Sequence, residues 1–171
     1  AQVGGRVLCK AELFQRSGSF KLRGAYNAVS QLSAARRSRG LVAYSSGNHA
    51  QAVALAAREF GAPAVVCMPH DTPRAKVEAV LGYGAEIVRY DRRLQDRVAL
   101  AETIATDRGM SVIPSSDHAD VIAGQATVIL EILAGCSSPP DIVVVPVGGG
   151  GLLAGAAVVL SSLAPHTRLI G

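Results

Sequence analysis

The chain contains no tryptophan, and its few phenylalanines and tyrosines make up 4% of 171 residues. Proteins that bind single-stranded nucleic acid stack bases on aromatic platforms, so nucleic acid is not an expected partner despite a net charge of +4. The arginines behind that charge, Arg36, Arg37, Arg39 and Arg92, Arg93, Arg97, fall in polar stretches of mixed sign and read as solvated faces. Cysteine is also scarce. Cys9, Cys67 and Cys136 are odd in number, far apart and without zinc spacing, which argues against a disulfide framework and a zinc module. Cys67, inside AVVCMP, reads as a buried strand residue in a reducing compartment, and no signal-peptide pattern opens the chain, so a cytoplasmic location is expected. One uncharged run, Ile142 to Leu160, has the length of a membrane span, but Pro146 and four glycines interrupt it. A strand, a loop and a helix are expected there, and no membrane.

With 49% hydrophobic residues, a chain of this length can bury a substantial core. Short runs rich in valine and alanine, Leu41–Tyr44, Ala64–Met68, Glu86–Tyr90 and Ser111–Ile113, alternate with helical stretches, the pattern of βαβ units on a parallel sheet. The first helix is expected over Asn48–Phe60, closed by Gly61. The second has Thr72 as N-cap, Pro73 as first helical residue and an end near Gly82–Gly84, and the third covers Leu94–Arg108 and stops at Gly109. Beyond these, a helix is expected over Asp120–Ala134, a strand over Ile142–Val147, a helix over Leu152–Leu163 and the beginning of a strand at Thr167–Gly171. In this reading the chain begins inside a strand-like segment and stops mid-fold.

Lysine occurs only as Lys10, Lys21 and Lys76. Lys21 lies among small residues in SGSFKLRGA, Ser17 to Ala25, and a desolvated amine there would suit an imine to an aldehyde; a surface lysine is the plain alternative. Gly148–Gly151 join the apolar run IVVVPV to an apolar helix, so backbone N–H groups can converge on a phosphate with a helix dipole behind them. Close strand–helix packing explains the same glycines, and Gly149, Gly151 and Ala154 also fit the G-x-G-x-x-A dinucleotide fingerprint. Ser45, Ser46, Gly47 and Asn48, in SSGNHAQ, lie between a strand and a helix start, where an anion is attracted or the helix is simply capped. His49 reads as a packing residue. Asp117, His118 and Asp120, in PSSDHAD, read as a polar loop before a helix rather than a metal site. Aldehyde and phosphate occur together in pyridoxal 5'-phosphate.

Taken together, SGSFKLRGA, SSGNHAQ and the four glycines resemble the threonine dehydratase and serine racemase branch of the fold-type II pyridoxal-phosphate enzymes, from about Lys10 to Gly171; DVIAGQAT, Asp120 to Thr127, resembles it as well. The resemblance implies an α/β fold of three-layer open parallel sheets, incomplete at both ends. Residues 41–113 would form a small domain, and 1–40 with 114–171 parts of the large pyridoxal-phosphate domain. It implies pyridoxal phosphate as cofactor, held by Lys21 and Phe20, with Asn48 at the ring hydroxyl and Gly148, Gly149, Gly150, Gly151 and Leu152 at the phosphate. Ser45, Ser46, Gly47 and Asn48 would take the substrate carboxylate, and Lys21 and Ser46 would be the catalytic groups. The implied reaction is α,β-elimination from threonine or serine to a 2-keto acid and ammonia. Ser46 keeps serine racemase and hydroxyaspartate ammonia-lyase open as alternatives. The partner of the pyridine nitrogen and any cation ligands would lie beyond residue 171, in a fragment of a homo-oligomeric parent. A nucleotide-binding Rossmann oxidoreductase is the alternative from another class, its acidic ribose-binding residue falling where the chain runs out.

Overall fold

The computed structural model describes residues 4–171. Four strands, β1 (Leu41–Tyr44), β2 (Ala64–Pro69), β3 (Glu86–Tyr90) and β4 (Ser111–Val112), form a parallel sheet in the order β3-β2-β1-β4. Between them run α3 (Asn48–Glu59), α4 (Arg74–Gly82) and α5 (Arg97–Arg108). Alternate residues of β1 and β2 feed two different cores. Leu41, Ala43, Ala64, Val66 and Met68 pack with Ala52, Val53 and Ala56 of α3, whereas Val42, Val65 and Cys67 pack with Ala101, Ile104 and Ala105 of α5. A strand covered on both faces has no solvent side to mark with polar residues, which is why AVVCMP is apolar and buried throughout. Each fully buried valine or methionine there contributes about 1.5–3 kcal/mol.

The flanks build a second layer. The helix α1 (Lys21–Gln31) turns Leu22, Ala25, Ala28 and Val29 inward at helical spacing, against α3 on one side and α6 (Ala119–Gly135) on the other. A short helix, α2 (Ala34–Arg39), capped by the Ser33 hydroxyl accepting from the Arg36 N–H, leads into β1. A two-stranded parallel sheet of β5 (Ile142–Val144) and β6 (Arg168–Ile170) packs with α6 and α7 (Gly151–Leu163) around Ile129, Val143, Ala156 and Leu160. Arg23 locks α1 in place: its nearly buried guanidinium donates to both oxygens of Glu12 and of Glu131 and to the Thr127 hydroxyl.

The elements match the sequence reading with local corrections. Pro73, not Thr72, is the N-cap of α4; Pro73 is extended at ψ 139°, and the buried Thr72 hydroxyl makes no cap bond. The third crossover helix starts at Arg97 instead of Leu94, because the Asp96 carboxylate accepts from the Val98 and Ala99 N–H groups and fixes the cap there. It ends as expected, on Gly109 in the left-handed region at φ 65°. Pairing of β5 ends at Val144, and Val145 makes one more bond, to the Ile170 carbonyl, before Pro146, which has no N–H to donate. Residues 6–11 form no strand, and residues 12–14 make a 3-10 turn. Arg37 leaves the solvated face: it donates to the Ser30 and Leu32 carbonyls at the end of α1 and lies over the Phe60 ring. Among the described residues no helix is long and apolar enough to cross a membrane, and the uncharged run resolves into β5, a glycine loop and α7.

Candidate active site

In a sheet ordered β3-β2-β1-β4, successive strands step from β1 outward to β3, and the chain then crosses to the other side of β1. The loops leaving β1 and β4 therefore diverge at their carboxyl ends and open a crevice, the place where open parallel sheets bind ligands. The segment after β1 is Ser45–Gly47, followed by the first turn of α3 at Asn48, and the segment after β4 is Ile113–His118. Into this crevice comes Lys21, from the first turn of α1. Its amine donates to the Ser115 carbonyl at 2.5 Å. Burial lowers the Lys21 pKa, so more of the neutral, nucleophilic amine is present near neutral pH. Phe20, at the N-cap of α1, sets its ring 5.4 Å from that amine.

Three segments singled out in the sequence, those of Lys21, SSGNHAQ and the four glycines, meet around one short segment, Ile113–Ser116. Besides holding Lys21 through Ser115, it accepts a 2.8 Å hydrogen bond from His49 through Ile113, and Ser116 packs into the glycine loop. A side chain on Gly149 would collide with the Ser116 hydroxyl, and one on Gly151 would lie 3.0 Å from the Ser116 carbonyl oxygen. On the other side Gly148 and Gly150 face open space, with Gly150 at φ 82° turning the chain into α7. The first N–H groups of α7 have no acceptor one turn back, so the loop presents donors, a helix dipole and no side chains. Leu152, also in that first turn, is buried in the core beneath.

On the β1 side, the Ser45 hydroxyl accepts from the Gly47 N–H and closes the turn, leaving Ser46 half-buried and Asn48 exposed. Lys76 brings its amine 3.8 Å from where a Gly47 side chain would begin, which makes it a second amine beside the site. A cavity of about 350 Å³ lies next to Ser46, lined by Pro69, Tyr90, Arg92 and Arg97. Asp117 and His118 are exposed, and His118 is the N-cap of α6, its Nδ1 accepting from the Asp120 N–H. Sequence reasoning missed the central role of Ile113–Ser116. Its signal was positional, a loop following a strand at the sheet's reversal point, and that requires strand order.

An aldehyde bearing a phosphate fits this set of groups. A partly desolvated amine stands in the crevice, and a glycine loop crowned by a helix N-terminus adjoins the same segment, Gly149 having no room for a Cβ and Gly151 little. Comparison with known proteins agrees. The chain is 53% identical over 133 residues to an L-threo-3-hydroxyaspartate ammonia-lyase of a Pseudomonas species, a match covering 78% of this chain and 42% of the relative. It is 44% identical to a biosynthetic L-threonine dehydratase of Pasteurella multocida, over 99% of this chain and 33% of that enzyme. Maize serine racemase superposes with a TM-score of 0.88 at 38% identity, over 94% of this chain and 49% of that one. The chain thus spans between a third and a half of the length of these relatives. The dinucleotide reading of Gly149, Gly151 and Ala154 gives way, because one family model, described as pyridoxal-phosphate dependent enzyme, matches residues 1–171. The chain belongs to the family of pyridoxal-phosphate dependent enzymes, of fold type II.

Proposed function

We propose that this protein is a pyridoxal-phosphate-dependent ammonia-lyase that removes the β-hydroxyl and the α-amino group from a small hydroxy amino acid, threonine or serine. The observation that carries the reading is the Lys21 amine, held at the sheet's reversal point beside the glycine loop. Bound pyridoxal phosphate supplies an electron sink that makes the substrate's Cα proton acidic. Lys21 would hold the cofactor through its aldehyde and would serve as the base for the Cα proton; its desolvation favours the neutral amine that such a base needs. The N–H groups at the start of α3, with the Ser45 and Ser46 hydroxyls, hold the substrate carboxylate, and Asn48 orients the ring. Gly148–Gly151 and Leu152 anchor the phosphate through backbone N–H groups. The β-hydroxyl would leave as water with the proton taken from Cα, giving an enamine that a water molecule hydrolyses to the 2-keto acid and ammonia.

The division into a small domain, 41–113, and flanks belonging to a large one is part of the same proposal. One core cluster lies wholly within residues 42–112 and another draws only on the flanks, whereas the third packs Leu22, Ala25 and Val29 of the flank with β1 and α3 and would be the seam between the two parts. A cytoplasmic, homo-oligomeric enzyme completes the reading.

A second substrate is favoured by a specific observation. Arg97 and Arg92 line the cavity beside Ser46; Arg92 is paired with Asp71 and the Asp96 carboxylate stands on the same wall as the cap of α5, so Arg97 is the guanidinium that a second substrate carboxylate, as in 3-hydroxyaspartate, would meet. Keto-acid production from threonine, serine and L-threo-3-hydroxyaspartate, measured side by side, separates the two. The core of the reading is tested by borohydride reduction of the holoenzyme and peptide mapping: the pyridoxyl group is expected on Lys21, and Lys21→Ala removes both the visible absorbance and turnover. A pyridoxyl group on Lys76 or Lys10 would overturn it.

A further inference from the structure

His49 is the residue next to Asn48, yet it faces inward. It is 4% exposed, and its Nε2 lies 2.8 Å from the Ile113 carbonyl. A carbonyl only accepts, so Nε2 carries the proton and the ring is a neutral donor. Burial pushes its pKa down to about 4, against the opposing pull of the Ile113 bond and with the help of the Lys21 charge, so the ring stays neutral at physiological pH. Nothing about packing alone demands a histidine in this place. The neighbouring α3 positions Ala50, Ala52 and Val53 are filled by alanine and valine, which bury as completely.

The bond joins the two loops that must diverge for the crevice to exist. One end is the first turn of α3, which follows Ser45–Gly47; the other is Ile113, two residues before the carbonyl on which Lys21 rests. We infer that His49 is a positioning residue, a peg that fixes the β4 loop against α3 and thereby sets the place and the dryness of the Lys21 amine. Without the peg, Ile113–Ser116 would be tied on the β1 side only through the short ladder of β4, where the Ile113 N–H donates to Val42. Water entering there would relieve the burial that depresses Lys21. Burial is the cause of the Lys21 shift, and the Lys76 amine beside Gly47 adds no charge effect to it. Asp117 and His118 are exposed and Asp120 half-buried at the start of α6, whereas Arg23 is committed to Glu12 and Glu131.

The consequence for turnover rests on the reading of Lys21 as the cofactor lysine; the geometry does not, and the two are separable by experiment. Lysines of the cofactor-stripped protein are reductively methylated with ¹³C and titrated by NMR, the Lys21 signal being assigned by its loss in Lys21→Arg. His49→Phe is expected to move the Lys21 titration to higher pH and, in the holoenzyme, to lower kcat about tenfold or more. His49→Gln, whose Nε2 reaches the same carbonyl, is expected to restore both. Should the phenylalanine variant not fold, His49→Asn takes its place, since that amide falls short of Ile113. An unchanged Lys21 titration in the variant lacking the bond, or a glutamine variant indistinguishable from it, would overturn the peg. A pyridoxyl group mapped to another lysine would instead remove the reading of Lys21 and leave the titration result standing.

Discussion

Two serines at the site have similar surroundings and different duties. The Ser45 hydroxyl is occupied in closing its turn, accepting from Gly47, whereas Ser46 is half-buried on the cavity wall with no such bond among the described residues. On the proposed reading this hydroxyl would hand a proton to the face of the substrate opposite Lys21, which racemisation needs and elimination does not. Ser46→Ala is therefore expected to leave keto-acid production within a few-fold and to lower any serine racemisation about a hundredfold or more, the size of a lost acid–base group. Chiral chromatography run beside the keto-acid assay measures both, and equal loss of the two activities would argue against a face-specific role. Residue chemistry of this kind was largely legible in the chain. Lys21, the serine turn and the glycines stand out by type and neighbours, but the Ile113 and Ser115 carbonyls cannot, since every residue has a carbonyl and only folding selects which ones accept.

At the scale of elements, the strands were readable because both faces of the sheet are covered, which leaves continuous apolar runs such as AVVCMP between glycine and proline punctuation. The helix α1 was not anticipated although its apolar residues recur at helical spacing, because the segment stood out for its lysine instead. Its inward face is built of Leu22, Gly24, Ala25, Ala28 and Val29, and the small residues among them allow close approach. That approach is tight: a Cβ on Gly124 of α6 would lie 2.6 Å from the Gly24 Cα and would strike the Arg23 carbonyl. Lys21 stands one turn before this crossing, so the crossing sets the height of its amine. Gly124→Ala should force the helices apart, destabilise the protein by about 2 kcal/mol as overpacking does, and cut activity more than that loss of folded protein explains. Gly82 is the comparison, a helical glycine in α4 with nothing within 4 Å, where alanine should stabilise by about 0.5–1 kcal/mol and leave turnover alone. Denaturant melts and kcat for the pair decide the matter; equal effects at both sites would show that the crossing does not govern the lysine.

For the whole molecule, the two sheets have unequal support. The four-stranded sheet has helices on both faces, but β5 and β6 form a pair with Ile142 51% and Val144 69% exposed on β5, and Val147, between that strand and the glycine loop, is 51% exposed. A two-stranded parallel sheet with open edges is marginal by itself and offers unpaired N–H and C=O groups to other chains. The part of the site that depends on β5 is thus the glycine loop proposed to hold the phosphate, while Lys21, on α1 packed against α3, and the serine turn rest on the core of the four-stranded sheet. Expressed as these 171 residues alone, the chain is expected to keep the β1–β4 unit folded, to bind pyridoxal phosphate weakly, to show no measurable keto-acid production and to aggregate through the β5–β6 edges. Light scattering, thermal melting and absorbance titration with the cofactor test each part. A charged residue placed on the exposed face of β5, as in Val144→Lys, should reduce the aggregation without restoring binding, because it blocks the edge but does not brace the loop. A monodisperse, fully active 171-residue protein would show instead that β5 and β6 suffice to hold the cradle.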